Sequence, residues 1–214
     1  MQFDRSQLLL YAITDRNCIG QRDFFAAIEQ ALRGGVTILQ LREKGADDAA
    51  LTETAKRIKA VCAAYNVPLI VNDNYRAALA AGADGVHVGI GDTSVAEIRR
   101  AAGDGFIIGA TAKTVEQARR AEAEGADYLG VGAVFPSPTK TDAIRITAEQ
   151  FREIRASVSI PAVAIGGISM ENLHELAPLH ADGFAVVSAV FGAEDITERC
   201  KMLKQKIMRM KSEA

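Results

Sequence analysis

The sequence has no tryptophan, five prolines and only three cysteines among its 214 residues. Cys18, Cys62 and Cys200 are odd in number and far apart, which favours reduced thiols over a disulfide framework or a zinc site. Apolar runs such as Ala162–Ile165 are far shorter than the roughly 20 residues that a membrane helix needs. The first residues also lack a basic segment followed by an apolar one. The sequence therefore predicts a cytoplasmic protein without a membrane partner.

The charge is nearly balanced, with a formal net charge of -2, and gives no electrostatic basis for a nucleic-acid partner. With 49% hydrophobic and 24% charged residues, the composition is typical of globular proteins. No proline- or serine-rich linker and no shift of composition divides the chain. We therefore expect one domain over residues 1–214.

Short runs rich in Val, Ile and Leu alternate with longer segments of helical period, which indicates βαβ units around a parallel sheet. The predicted strands are Leu8–Thr14, Thr37–Arg42, Pro68–Asn72, Gly85–Val88, Phe106–Ala110, Tyr128–Gly132, Ala162–Ile165 and Gly183–Val187. The predicted helices are Phe24–Arg33, Asp48–Tyr65, Tyr75–Ala81, Val95–Ala102, Val115–Glu124, Ala148–Ala156, Met170–Leu179 and Ile196–Met208.

Eight such units predict an α/β fold of the single (β/α)₈ TIM-barrel type. Similar turns at Gly34–Thr37, Gly82–Gly85 and Gly125–Tyr128 each join a helix to a strand and support the count. An open doubly wound sheet is the alternative. Against it, Thr14–Asn17 stands where a glycine-rich dinucleotide turn would follow the first strand.

Polar residues gather at the end of the second predicted strand. Strand alternation places Gln40, Arg42 and Lys44 on one face, and in a barrel the carboxyl ends of the strands converge on one pocket. Two cations facing inward need anionic company. The alternative is that Arg42 and Glu43 form ordinary surface ion pairs.

The third and fourth strands end in acids. Asn72 is the last residue of the third predicted strand, Asp73 follows it, and Asp92 lies just beyond the fourth. Two carboxylates at neighbouring strand ends suit Mg²⁺, which fills its remaining coordination positions with water and phosphate oxygens. Helix capping is the alternative for both aspartates, because each precedes a predicted helix.

Three later loops have the composition of anion sites. Phe135–Thr141 contains a lysine among hydroxyls and two prolines, while Ile165–Ser169 and Val187–Ala189 follow the last two strands. Loops after strands seven and eight are the usual phosphate site of this fold. A solvated surface loop and a tight turn that needs glycine for backbone reasons are the alternatives. The position of His87 within the fourth strand favours a role as a hydrogen-bonded core residue over a role as a catalytic base.

Taken together, these segments resemble the thiamine phosphate synthase family over nearly the whole chain. The resemblance is carried by their order and combination: Tyr11–Asp15, Gln40–Lys44, Val71–Asp73, Gly85–Gly89 with Asp92, Gly130–Gly132 through Thr139 and Lys140, Ile165–Ile168, and Val187 with Ser188. It implies a transferase of thiamine biosynthesis with two phosphorylated small-molecule substrates, a pyrimidine diphosphate and a thiazole phosphate.

The resemblance also implies roles for individual residues. Asp73 and Asp92 would bind Mg²⁺, and Arg42, Lys44 and Lys140 would act in catalysis by stabilising the diphosphate as it leaves. The residues expected to bind substrate are Gln40, Leu41, Arg42, Glu43, Lys44, Asn72, Thr111, Ser137, Pro138, Thr139, Lys140, Gly167, Val187 and Ser188.

The sequence departs from the family pattern at two positions. Ile90 stands where the family has glutamine, and Thr111 stands where a serine is usual. Two other functions stay open. One is a thiazole tautomerase-like relative, which shares the barrel and the thiazole phosphate site. The other is a sensor that binds thiamine-pathway phosphates without turnover, which the two departures make conceivable. The synthase is favoured over the tautomerase because Gln40, Arg42, Lys44 and both aspartates are present together.

Overall fold

The computed structural model describes residues 3–136 and 144–213. Eight parallel strands pair in chain order and close into a barrel, with β1 bonded to both β2 and β8. The strands are β1 Leu10–Ile13, β2 Ile38–Leu41, β3 Leu69–Asn72, β4 Gly85–Val88, β5 Ile107–Ala112, β6 Tyr128–Gly132, β7 Ala162–Ile165 and β8 Gly183–Val186. The predicted TIM barrel is confirmed, and the open sheet is excluded.

Helices cover the outside of the barrel. They are α1 Arg16–Ile19, α2 Phe24–Arg33, α3 Asp48–Ala64, α4 Tyr75–Ala81, α5 Val95–Ala102, α6 Val115–Ala123, α7 Ala148–Ala156, α8 Ser188–Phe191 and α9 Ile196–Ser212, with 3₁₀ helices at Arg5–Leu8 and Leu173–Leu179. None of the helices in this described part of the chain has the length and apolar character needed to cross a bilayer.

One predicted helix differs in type. The segment expected as an α-helix at Met170–Leu179 is a 3₁₀ helix that begins only at Leu173. Pro178 lies inside it, lacks the N–H that an α-helical bond requires, and disfavours the α conformation at Ala177. The tighter 3₁₀ geometry accommodates the proline and still buries three leucines against the barrel.

The buried residues form two layers that follow from strand alternation. Side chains such as Leu39 and Leu41 point outward and pack beneath the helices. Side chains such as Ile38 and Ile70 point inward and fill the barrel interior. Continuing the inward row of each strand past its last apolar residue leads to the carboxyl-end mouth, where polar side chains line a cavity.

Candidate active site

The central cavity opens at the carboxyl ends of the strands and is shared by every strand of the barrel. Its lining includes Tyr11, Ile13, Gln40, Arg42, Asn72, His87, Thr111, Lys113, Gly130, Gly132, Val163, Ile165, Gly166, Gly167, Ala185, Val187 and Ser188. A shallower cavity beside it is lined by Ile90 and Asp92 and has Thr111 in common with the first.

Side chains at the end of β2 and just after it point alternately into the cavity and outward. Gln40 and Arg42 face the central cavity, while the side chain of Leu41 packs outward under the helices. The guanidinium of Arg42 forms an ion pair with Asp15, with Nη1 at 3.4 Å from Oδ2. Glu43 lies 2.7 Å from the guanidinium of Arg16. The surface ion-pair alternative thus describes Glu43, whereas Arg42 combines an ion pair with a position in the cavity.

Among the described residues, the lysine that lines the central cavity is Lys113 and not the predicted Lys44. Lys44 is exposed on the loop after β2 and does not line the central cavity. Lys113, which the sequence analysis missed, does line it. Because Lys113 follows Thr111 by two residues, the alternation that points to Thr111 is also the signal that would have found the lysine.

The two aspartates are not helix caps. The first turn of α4 is capped by the side chain of Asn74, and that of α5 by Ser94. Asp92 instead accepts the N–H of Gly89 at 2.7 Å, which holds its carboxylate in the turn after β4. The Asp73 carboxylate accepts a hydrogen bond from Nδ2 of Asn72 at 2.5 Å. The capping alternative therefore fails for both residues.

Asp73 and Asp92 lie close enough to influence each other. Partial burial and the neighbouring Asp92 carboxylate raise the pKa of Asp73 to about 6, against a smaller opposing effect of Asn72 and Arg42. A cation would relieve the repulsion. In the described part of the chain no cluster of three or more His, Cys, Asp or Glu side chains encloses an ion site. A pair of carboxylates suits Mg²⁺, which takes few protein ligands alongside water and phosphate.

His87 lies inside the barrel, 9% exposed, where Nδ1 is 3.2 Å from the Tyr128 hydroxyl and Nε2 is 3.1 Å from Oγ1 of Thr111. Burial lowers its pKa to about 4, so the ring is neutral near neutral pH. This position agrees with the prediction that His87 is a hydrogen-bonded core residue.

The turn after β7 requires its glycines. Gly166 and Gly167 have φ values of 103° and 62°, and a Cβ on Gly167 would lie 2.2 Å from the carbonyl oxygen of Pro136. The backbone explanation for these glycines therefore holds, while both also line the cavity. Ser137, Pro138, Thr139 and Lys140 lie outside the described residues.

The turn after β8 leads into a one-turn helix. Ser188 is the first residue of α8, and no side chain caps it at Val187. The other eight α-helices that the structure describes each begin with a side chain that accepts a first-turn N–H. The start of α8 thus keeps backbone N–H groups available beside the cavity.

The family model for thiamine monophosphate synthase matches residues 10–190. The chain belongs to this family. It is 44% identical over 198 residues to the thiamine-phosphate synthase of Alkaliphilus oremlandii, covering 92% of this chain and 95% of the relative. The thiamine-phosphate synthase of Clostridium tetani is 43% identical over 194 residues, covering 91% and 93%.

A solved structure agrees with these relatives. The thiamine phosphate pyrophosphorylase from Pyrococcus furiosus superposes with a TM-score of 0.88 at 39% identity, over 96% of this chain and 98% of that one. As a member of the thiamine monophosphate synthase family with these relatives, the chain is a transferase of the thiamine-phosphate synthase class.

Proposed function

We propose that the chain joins 4-amino-2-methyl-5-pyrimidinylmethyl diphosphate to 4-methyl-5-(2-phosphoethyl)thiazole in a Mg²⁺-dependent reaction that yields thiamine phosphate and diphosphate. The observation that carries this proposal is the meeting, at one barrel mouth, of an aspartate pair with Arg42 on one side and the uncapped start of α8 on the other. Two anionic substrates need two such half-sites.

The first half-site suits the pyrimidine diphosphate. Asp73 and Asp92 would hold Mg²⁺, because their mutual repulsion is relieved by a cation and neither is used as a cap. Bound there, the metal would neutralise charge on the diphosphate. Arg42 and Asn72 line the central cavity and would orient that group. Lys44, which is exposed, and Lys140, which lies outside the described residues, are proposed to assist on the strength of the family resemblance.

The second half-site suits the thiazole phosphate. Backbone N–H groups at the start of a helix favour an anion, and Val187 and Ser188 supply this feature next to Gly167. Ser137, Pro138 and Thr139, which lie outside the described residues, are proposed to contribute on the strength of the family resemblance.

The proposed chemistry is dissociative. The C–O bond to diphosphate breaks with its electron pair leaving on oxygen, and Arg42 stabilises the charge that develops there. The electron-rich aminopyrimidine bears the resulting carbocation. The thiazole nitrogen then supplies the electron pair for the new C–N bond and has no proton to lose. A general base is therefore unnecessary, which agrees with a neutral, buried His87.

An assay with both substrates tests the proposal. Purified protein should release diphosphate and form thiamine phosphate only when both substrates and Mg²⁺ are present. Each substrate alone serves as a control. Thiazole isomerisation without diphosphate release would support the tautomerase-like alternative, and tight thiazole phosphate binding without turnover would support the sensor.

We also propose that residues 1–214 form one catalytic domain. The closure of the barrel by β1 and β8 supports this, since both ends of the chain contribute strands or helices to the same shell.

A further inference from the structure

Five polar side chains form a continuous row of hydrogen bonds across the barrel interior. Gln40 Nε2 lies 2.7 Å from the Tyr11 hydroxyl, and this hydroxyl lies 2.7 Å from that of Tyr128. Tyr128 reaches His87 Nδ1 at 3.2 Å, and His87 Nε2 reaches Thr111 Oγ1 at 3.1 Å. The row starts and ends at residues that line the cavity, and its members come from five different strands.

The hydrogen bonds in this row all run from donor to acceptor in one direction. The amide nitrogen of Gln40 can only donate, so the Tyr11 oxygen accepts from it. Tyr11 and Tyr128 are 1% and 0% exposed, and among the described residues neither phenol has another acceptor for its proton. A buried proton without an acceptor costs about 1–3 kcal/mol. Tyr11 therefore donates to Tyr128, and Tyr128 donates to Nδ1 of His87.

The direction continues through the imidazole. A neutral ring that accepts at Nδ1 carries its proton on Nε2, so Nε2 donates to Thr111. The Thr111 oxygen then acts as acceptor inside the barrel, and its own proton is left for the cavity. At the other end, the Gln40 amide turns its nitrogen inward and leaves its carbonyl oxygen for the cavity.

We propose that Tyr11, Tyr128 and His87 are positioning residues that orient both ends of this row, so that Gln40 offers the substrate an acceptor and Thr111 offers it a donor. This inference rests on the proposed function. The exocyclic amino group of the pyrimidine needs an acceptor, and the diphosphate oxygens need donors. One directed row satisfies both requirements at once.

Close packing keeps the row in place. A Cβ on Gly109 would lie 2.2 Å from Cζ of Tyr128 and 2.5 Å from His87 Nδ1. A Cβ on Gly130 would lie 2.9 Å from Cε1 of His87. The two glycines thus leave a slot that fits the rings without spare room. Donors and acceptors fixed in this way need no rearrangement when substrate binds.

The tautomer of His87 reports the direction of the hydrogen bonds in the row. In protein labelled with ¹⁵N-histidine, long-range ¹H–¹⁵N spectra near neutral pH should show His87 protonated at Nε2 and unprotonated at Nδ1. His174 and His180 are exposed, so His174→Gln and His180→Gln variants assign their signals without disturbing the barrel. An Nδ1-protonated His87 would overturn the proposal, because every bond of the row would then run the other way.

Variants test cause and effect. Gln40→Glu replaces the terminal donor by an acceptor and should move the His87 proton to Nδ1. Tyr128→Phe cuts the row, and should mix the two tautomers and lower kcat/KM for the pyrimidine diphosphate about tenfold, with KM for the thiazole phosphate unchanged. His174→Gln is the control for both readouts.

The outcomes separate this inference from the proposed function. A wild-type protein without turnover would remove the proposed function, while the tautomer measurements would still decide the direction of the row. Turnover with a tautomer and a kcat/KM that Tyr128→Phe leaves unchanged would overturn the positioning role alone.

Discussion

At the scale of single residues, the charged form of Asp73 is disfavoured, because partial burial and Asp92 both oppose its ionisation. A site that binds a cation gains from such an arrangement, since the cation replaces a repulsion by two attractions. The neighbouring caps, Asn74 and Ser94, do the structural work of starting α4 and α5. In the proposed metal site, helix capping and cation binding would thus fall to different side chains a residue or two apart.

This division of roles is testable. Asp73→Ala and Asp92→Ala should each lower the rate about a hundredfold at limiting Mg²⁺, with partial recovery as Mg²⁺ is raised. Ser94→Ala is the matched control, because it should cost about 1 kcal/mol of unfolding free energy through the lost cap and leave kcat intact. Steady-state kinetics and urea unfolding measure the two effects. Unchanged kinetics in both aspartate variants would contradict the metal assignment.

His87 makes a pH-dependent contribution to stability. Its pKa of about 4 in the folded protein lies below the ordinary value of 6.5, so protonation favours the unfolded chain. The contribution is full above pH 6.5 and is lost as the pH falls toward about 4, a total of about 3 kcal/mol. Urea titrations through this window should show a shallower pH slope for His87→Gln than for wild type. His174→Gln, at an exposed position, should retain the wild-type slope; equal slopes in all three proteins would refute the assignment.

At the scale of elements, β5 shows how a strand makes room for the site. It contributes Gly109 to the ring slot and Thr111 to the cavity from the same inward row. Gly109→Ala should destabilise the protein by about 1–3 kcal/mol through overpacking against Tyr128. Gly105→Ala just before the strand meets no atom within 4 Å and should stay within about 0.5 kcal/mol of wild type. Thermal unfolding compares the two, and equal effects would contradict the slot.

Among the helices, those of about two turns or more were predictable from sequence, and single-turn helices were not. The bounds of α2, α4, α5 and α7 agree with the prediction, because each spans about two turns or more and presents a repeated apolar face. The four-residue helices α1 and α8 were missed, since a single turn shows no periodicity. The failure to predict α8 matters for function, because the uncapped start of this helix is part of the candidate site.

The same distinction holds for the site residues. Arg42 and Asn72 were predicted as site residues because a polar residue at a strand end is conspicuous, and both line the central cavity. Tyr11 and Tyr128 were missed, since a tyrosine within an apolar strand has the composition of ordinary core. Only the closed barrel, which brings residues from distant strands together, reveals that their hydroxyls meet.

At the scale of the whole molecule, α9 completes the outer shell by packing on α2, with Cys200, Leu203 and Ile207 fully buried. The helix predicted at Ile196–Met208 is present and continues to Ser212. Leu203→Ala should cost about 2–5 kcal/mol of unfolding free energy and leave both KM values unchanged. Met202→Ala, at a 46% exposed neighbour on the same helix, is the control and should have little effect. A change in KM without loss of stability would show that α9 reaches the active site.

The pairing of β1 with β8 aligns Leu10 with Phe184. The barrel can therefore close only after β8, which is synthesised late, is available to pair with β1, which is synthesised early. Until then, β1 has one free edge, and the inner hydroxyls of Tyr11 and Tyr128 have no enclosed interior in which to meet. The binding cavity, which needs every strand, can mature only in the last stage of folding, after the ribosome has released nearly the whole barrel.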